Sequence, residues 1–380
     1  MRVVCGGRLV DDRTMIEDVA IATPDSAEGR RARPRLRRKL LLLLVSFLAA
    51  VVVAECLCRI YLNLKHGVPL MDPGRVLCRK YPEIACADAT KLSLDKASFN
   101  VLLLGGSVID ARWSSVEHEL REQLAFAGVY NIKVCNLAVA SHTSRDSLIK
   151  YRALSRSHFD LVILYHGIND ARANNAPGDV YRDDYSHYAW YETANVLSDY
   201  HGNSWFALSS LLHQAWLGVK QRVFSGQYLS FYHPLPPPEW TRYGASPKTP
   251  VAFEGNVREI VNLAEARSER IVLMTFATFV PSDYSDDAFS DRRLDYALHI
   301  SPLKMWGNPD DVVSVVALHN QVIRSVASGR GEGDFVDQAG HIGNGKRYFH
   351  DACHLTCDGS RQFVKNILAS IPPSEWRSSR

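Results

Sequence analysis

Three short stretches, far apart in the chain, carry the residue types that acyl-group chemistry needs. Val101 to Ser107 reads VLLLGGS, an apolar run closed by two glycines and a serine. The stretch GIND places Asn169 two residues after Gly167, and FHDACHLT places Asp351 and His354 three residues apart. A serine hydroxyl is a weak nucleophile until a histidine accepts its proton and a carboxylate orients that histidine. Ser107, His354 and Asp351 are the candidates for those three parts. The oxyanion formed on attack needs donors, and the backbone N–H groups of Ser107 and Ser141 with the side-chain amide of Asn169 are the candidates there. Each stretch alone has an ordinary reading, since Gly, Asn and Ser dominate turns, a histidine can cap a helix, and a loop aspartate can accept backbone N–H groups. The order and placement of the set decide between the two readings.

Placement follows from the elements around them. Strands are expected at Val101–Leu104, Ile132–Leu137, Leu161–Tyr165 and Ile271–Phe276, with a weak fifth at Asp334–Val336. Helices are expected at 114–127, 144–155, 254–267 and 358–370. Ser114 and Glu117 have the spacing of a capping box, and Val116, Leu120 and Leu124 recur on one helical face. Strand–helix alternation implies a parallel sheet covered on both faces, and right-handed crossovers narrow the topology to α/β, a flavodoxin-like doubly wound sheet in an α/β/α sandwich. Ligands bind at the carboxyl edge of such sheets, which is where every candidate loop ends. An insertion at about 171–250 is rich in Tyr and Trp, whose faces either stack on a substrate or pack the insertion onto the sheet. It includes a helix-like stretch over 205–223 and a proline-rich aromatic loop after it.

The 380 residues carry a formal net charge of +3. Seven basic residues between Arg30 and Lys39 more than account for that excess, so the rest is mildly acidic, which argues against a nucleic-acid groove. The basic cluster instead abuts the apolar block 40–54. That block is short of the ~20 residues a bilayer needs, but it extends through Leu62 if Glu55 and Arg59, an i,i+4 pair, lie at the headgroup level with Tyr61 as interfacial anchor. The expected organisation is a basic, disordered cytoplasmic tail at 1–39, a transmembrane helix at 40–62, a linker at 63–97 and a folded domain at 98–372. The positive-inside rule puts that domain outside the cytoplasm, at the periplasmic side of the inner membrane. A cleaved signal sequence and a lipid anchor on Cys56 are the competing readings of the same segment. Of eight cysteines, Cys78 with Cys86 and Cys353 with Cys357 could bridge in an oxidising compartment.

His350, Asp351, Cys353, His354 and Cys357 are also zinc-ligand types, but crowding five into eight positions suits a tetrahedral site poorly and leaves Ser107 and Asn169 without a role. The ordered blocks resemble the SGNH (GDSL-like) hydrolase superfamily over about residues 98–370. Block I falls on Ser107, block III on Asn169, and block V on Asp351 and His354; the basic run and apolar helix look like the membrane-anchored bacterial members. Two positions depart from the pattern. Gly106 stands where the family usually has Asp, and Ser141 stands where block II has a glycine that donates its N–H. The resemblance implies a flavodoxin-like fold, acyl-ester chemistry, and neither metal nor cofactor. The expected function is a membrane-anchored serine esterase acting on small-molecule or glycan esters. The alternatives are an O-acyltransferase using the same triad and a non-catalytic binding protein that keeps the fold.

Overall fold

Alternation along the apolar runs builds the centre of the molecule. The computed structural model describes residues 32–84, 98–155, 157–201, 206–227, 236–331 and 333–376. Strands β1 (Phe99–Gly105), β2 (Ile132–Asn136), β3 (Leu161–Tyr165), β4 (Arg270–Met274) and β5 (Phe335–Val336) form one parallel sheet in the order β2-β1-β3-β4-β5. Val101, Leu103, Leu161, Ile163, Val272 and Met274 enter the core on one face; Leu102, Leu104, Val162, Leu164, Ile271 and Leu273 enter the core on the other. A period of two with apolar residues at both phases gives a sheet buried on both sides. The order reverses between β1 and β3, so the architecture is the doubly wound, flavodoxin-like one, and that switch point opens a crevice at the carboxyl edge.

The helices used below are, in chain order, α1 (Ala32–His66), α2 (Val116–Phe126), α3 (Ser144–Ala153), α4 (Ala189–Tyr200), α5 (Ala207–Val223), α6 (Thr249–Ala266), α7 (Pro309–Ala327) and α8 (Cys357–Ser370). Helices α2 and α8 cover one face through Leu120, Leu124, Phe363 and Ile367; α3 and α6 cover the other through Leu148, Ile149, Val257 and Ile260. The capping box expected at Ser114 does not form. Ser115 is the N-cap without a side-chain bond, and Glu117 turns instead to Arg121 and Asn136. The reciprocal box closes at Thr143 and Asp146, at the start of α3.

Contacts divide the chain into two units, Met1–Ala54 and Glu55–Arg380. Residues 1–31 of the expected tail lie outside the described residues, whereas 32–39 already belong to α1. The stretch Leu36–His66 is 31 residues long and apolar enough to cross a membrane. Three expected boundaries shift. The expected membrane helix ends at Leu62, whereas α1 runs on to His66 and Leu62 is buried in the core beside Val68, Val76, Leu77 and Tyr81. The expected linker at 63–97 is therefore folded from 68 to 84; its prolines and glycine punctuate a packed segment. At the other end the domain runs past 372 to Trp376, which is fully buried with its ring 5.7 Å from that of Phe99. Cys86 lies outside the described residues, while Cys353 and Cys357 are both free thiols.

Candidate active site

Ser107 follows β1 after one residue, Gly106, and opens a single 3-10 turn, Ser107–Ile109. The two glycines before it are there for space. A Cβ on Gly105 would come within 2.9 Å of the Tyr165 carbonyl oxygen, and one on Gly106 within 2.6 Å of Asn169 Nδ2. The departure at position 106 thus lets the Asn169 amide close onto the serine corner.

The loop after β5 returns to the same edge. His354 Nε2 lies 2.8 Å from Ser107 Oγ, and His354 Nδ1 lies 2.7 Å from Asp351 Oδ2. Ser107, Asp351 and His354 are all buried. Asp351 is held by backbone donors: the N–H groups of Cys353 and His354 reach Oδ1, each at 2.9 Å, and the N–H of Ser301 reaches Oδ2 at 2.9 Å. An ionised carboxylate is acceptor-only. It therefore fixes the imidazole proton on Nδ1 and leaves Nε2 as acceptor for the serine hydroxyl.

The remaining expected site residues sit on the loops after β2 and β3. Ser141 adopts φ +69°, the left-handed region where the family pattern has glycine. Its neighbour Ala140 donates its N–H to Asp110 Oδ2 at 3.0 Å, tying this loop to the serine turn. Asn169 lies in the short helical turn Ile168–Ala171. Its Oδ1 accepts from Trp306 Nε1 and its Nδ2 donates to the His142 carbonyl, each at 2.9 Å. Those two bonds fix the amide's orientation and leave the second Nδ2 hydrogen uncommitted by them.

Behind this corner lies a buried polar layer. Lys150 is fully enclosed and donates to the Leu137 carbonyl at 2.5 Å and to His142 Nδ1 at 2.8 Å, with Glu83 at 3.1 Å. Burial, with Lys150 adding to it, holds the His142 imidazole down to about 3. Burial does the same to His166, which bonds Ser147 Oγ at 2.7 Å. Asp146 collects Tyr191, Tyr81, Trp190 and the Thr143 N–H. Burial raises the neighbouring Asp170 carboxyl to about 7, although Ser144 and Tyr185 donate to it. Several insertion aromatics belong to this packing: Tyr185, Tyr188 and Tyr191 are buried together, with Tyr181, Trp190 and Trp240 packed against them.

Three contributors were not visible in the sequence. Trp306 aims Asn169, the Ser301 N–H holds Asp351, and the half-exposed Trp113 stacks on His354 with ring centroids 5.7 Å apart. Each reaches its partner from a separate loop, so no local spacing announces it. The ligand atoms of Asp351, Cys353 and His354 lie within 4.8 Å of one another. They suit a proton relay better than a metal. Both His354 nitrogens face other partners, Asp351 accepts from three N–H groups and the imidazole, and burial raises the Cys353 thiol well above its ordinary range.

No family model and no curated protein matches the chain. Among solved structures it is similar to a GDSL-like lipase from Bacteroides thetaiotaomicron, at 16% identity and TM-score 0.39 over 77% of this chain and 98% of that one. It is also similar to an acetyl xylan esterase, at 13% identity and TM-score 0.39 over 72% and 99%. A lipase/acylhydrolase from Enterococcus faecalis follows at 13% identity and TM-score 0.36, over 72% and 94%. In sheet order, in the sequence of its blocks and in the Ser107–His354–Asp351 arrangement, the molecule resembles the SGNH (GDSL-like) hydrolases.

Proposed function

We propose that the chain is a membrane-anchored serine esterase. The observation that carries this reading is the bonded series from Ser107 Oγ through His354 to Asp351, drawn from loops 247 residues apart in sequence. Ser107 Oγ attacks the ester carbonyl carbon while His354 Nε2 takes the hydroxyl proton. Asp351 stabilises the imidazolium and keeps its ring in place. The developing oxyanion is held by the backbone N–H groups of Ser107 and Ser141 and the Asn169 amide. Collapse breaks the ester C–O bond, and the leaving alkoxide takes the proton from His354. A water then attacks the acyl-serine, gives its proton to His354, and collapse returns the proton to Ser107 with release of the acid.

The apolar stretch within α1 serves as the anchor, with the basic cluster on the cytoplasmic side and the hydrolase domain in the periplasm. Short acyl, including acetyl, esters of small molecules or envelope glycans are the proposed substrates. Release of p-nitrophenol from p-nitrophenyl acetate tests the reading. The parent chain hydrolyses it and Ser107→Ala does not; equal rates for the two would overturn the assignment. Repeating the reaction with a glycan acceptor and analysing products separates hydrolysis from acyl transfer.

A further inference from the structure

Helix α5 leaves its longest apolar stripe facing away from the domain. Leu212, Trp216, Val219 and Val223 recur at i, i+4, i+7 and i+11, which gathers them within about 60° of the helix circumference. All four stand more than half exposed, and Phe206 and Phe224 flank them at the two ends. The opposite face is the one held by the protein: Ala207, Ser210 and Leu217 are buried there, and polar side chains add to the hold. Gln221 donates to the Ala189 carbonyl and to Glu192, and Lys220 donates to Glu192 at 2.5 Å. An amphipathic helix on a soluble domain points its stripe the other way. A contiguous exposed apolar stripe marks an interaction surface.

The Glu55–Arg59 pair ties this helix to the end of the apolar segment. The Glu55 carboxylate accepts the N–H groups of Ala207 and Leu208, at 2.9 and 2.8 Å, and so caps the start of α5. Arg59 donates to Glu55 at 2.6 Å and to the Leu70 carbonyl at 2.7 Å, next to Met71, which is 80% exposed. Glu55 follows immediately on the uninterrupted apolar block 40–54. Fifteen helical residues cover about 22 Å, whereas the hydrocarbon core is about 30 Å thick. Leu57, Ile60, Tyr61 and Leu64 continue the exposed apolar surface of α1 past Glu55. The residues next in sequence, from Glu55 on, are the ones that clasp the start of α5 and the Leu70–Met71 turn.

We propose that the Leu212–Trp216–Val219–Val223 face of α5 lies in the lipid interface, in the leaflet where α1 emerges. The hydrolase domain is then held down on the membrane surface by a second contact besides the anchor. Trp216 near the middle of the stripe suits the headgroup boundary, where amphipathic rings collect. The proposal rests on α1 being a retained membrane anchor.

The test uses the full chain reconstituted in phosphatidylethanolamine/phosphatidylglycerol vesicles. Photo-crosslinking substitutions Trp216→p-benzoylphenylalanine and Val219→p-benzoylphenylalanine are compared with Phe126→p-benzoylphenylalanine, at an exposed residue of α2. Melting curves matching the parent establish that each chain is folded, and alkaline carbonate washing establishes whether α1 holds it in the membrane. The expected result is retention in the washed vesicles with lipid adducts at 216 and 219 and none at 126. Retention without lipid adducts at 216 and 219, or with adducts to a second copy of the chain, overturns the proposal and leaves the anchor standing. Release by carbonate removes the anchor and this proposal with it.

Discussion

Two buried histidines flank the serine corner, and their surroundings assign them opposite work. His354 has a carboxylate on one nitrogen and a hydroxyl on the other. His142 has the Lys150 ammonium against Nδ1 and is held down to about 3, so it stays neutral and accepts no proton from substrate chemistry. What His142 gives the site is its backbone carbonyl, which aims the Asn169 amide. Both rings are buried, and burial is the main reason His142 stays neutral; the proton carrier is distinguished by the carboxylate on one nitrogen and the hydroxyl on the other.

The contrast breaks most visibly at the rings themselves. His354→Gln is expected to lower kcat for p-nitrophenyl acetate by about 10^4-fold or more, as removal of a triad base does elsewhere. His142→Gln keeps the carbonyl and is expected to stay within about tenfold in kcat, with a stability loss of about 1–3 kcal/mol from the buried Lys150 donor left short of an acceptor. Equal losses in the two variants would erase the distinction. Asn169→Ala is expected to cost about 10^2–10^3 in kcat at little change in KM, the usual scale for one oxyanion donor. Trp306→Phe, which frees Asn169 Oδ1, should cost less, about tenfold, because the amide remains but loses its aim.

The smallest effect is on stability against pH. His142 and His166 have folded values near 3, below the unfolded value of about 6.5. Their contribution is present above pH 6.5 and is lost as pH falls toward 3, on the order of 2 kcal/mol each by pH 5. Asp170 works in the opposite sense. Its folded value of about 7 lies above the unfolded one, so its contribution is present below pH 4 and lost as pH rises through 7. Melting curves at pH 7.5 and 5 should show the drop shrinking in His166→Gln and growing in Asp170→Asn. Unchanged drops in both would show that these buried groups do not titrate as described.

Much of this was readable in the chain itself, and the losses have physical causes. β3 coincides with its expected bounds and β1 contains its own, because continuous apolar runs bounded by turns survive in any tertiary context. Asp351 and His354 were legible because a carboxylate three residues from an imidazole on one loop needs no distant partner. Helix α7 was not anticipated, although Asn308, Pro309, Asp310 and Asp311 are a start signal and Asn308 does cap it. The Ser114 box failed because Glu117 bonds Arg121 one turn along its own helix and Asn136 on β2 instead. Trp306, Trp113 and the Ser301 N–H meet the site only through the fold, so their positions leave no trace in spacing.

Incubation with a fluorophosphonate, followed by mass mapping of the adduct, addresses the central arrangement most directly. The parent chain should carry one phosphonyl group on Ser107, and His354→Gln should label far more slowly under identical conditions. No adduct on Ser107 in folded parent chain, or labelling of that serine at the same rate in His354→Gln, would contradict the account.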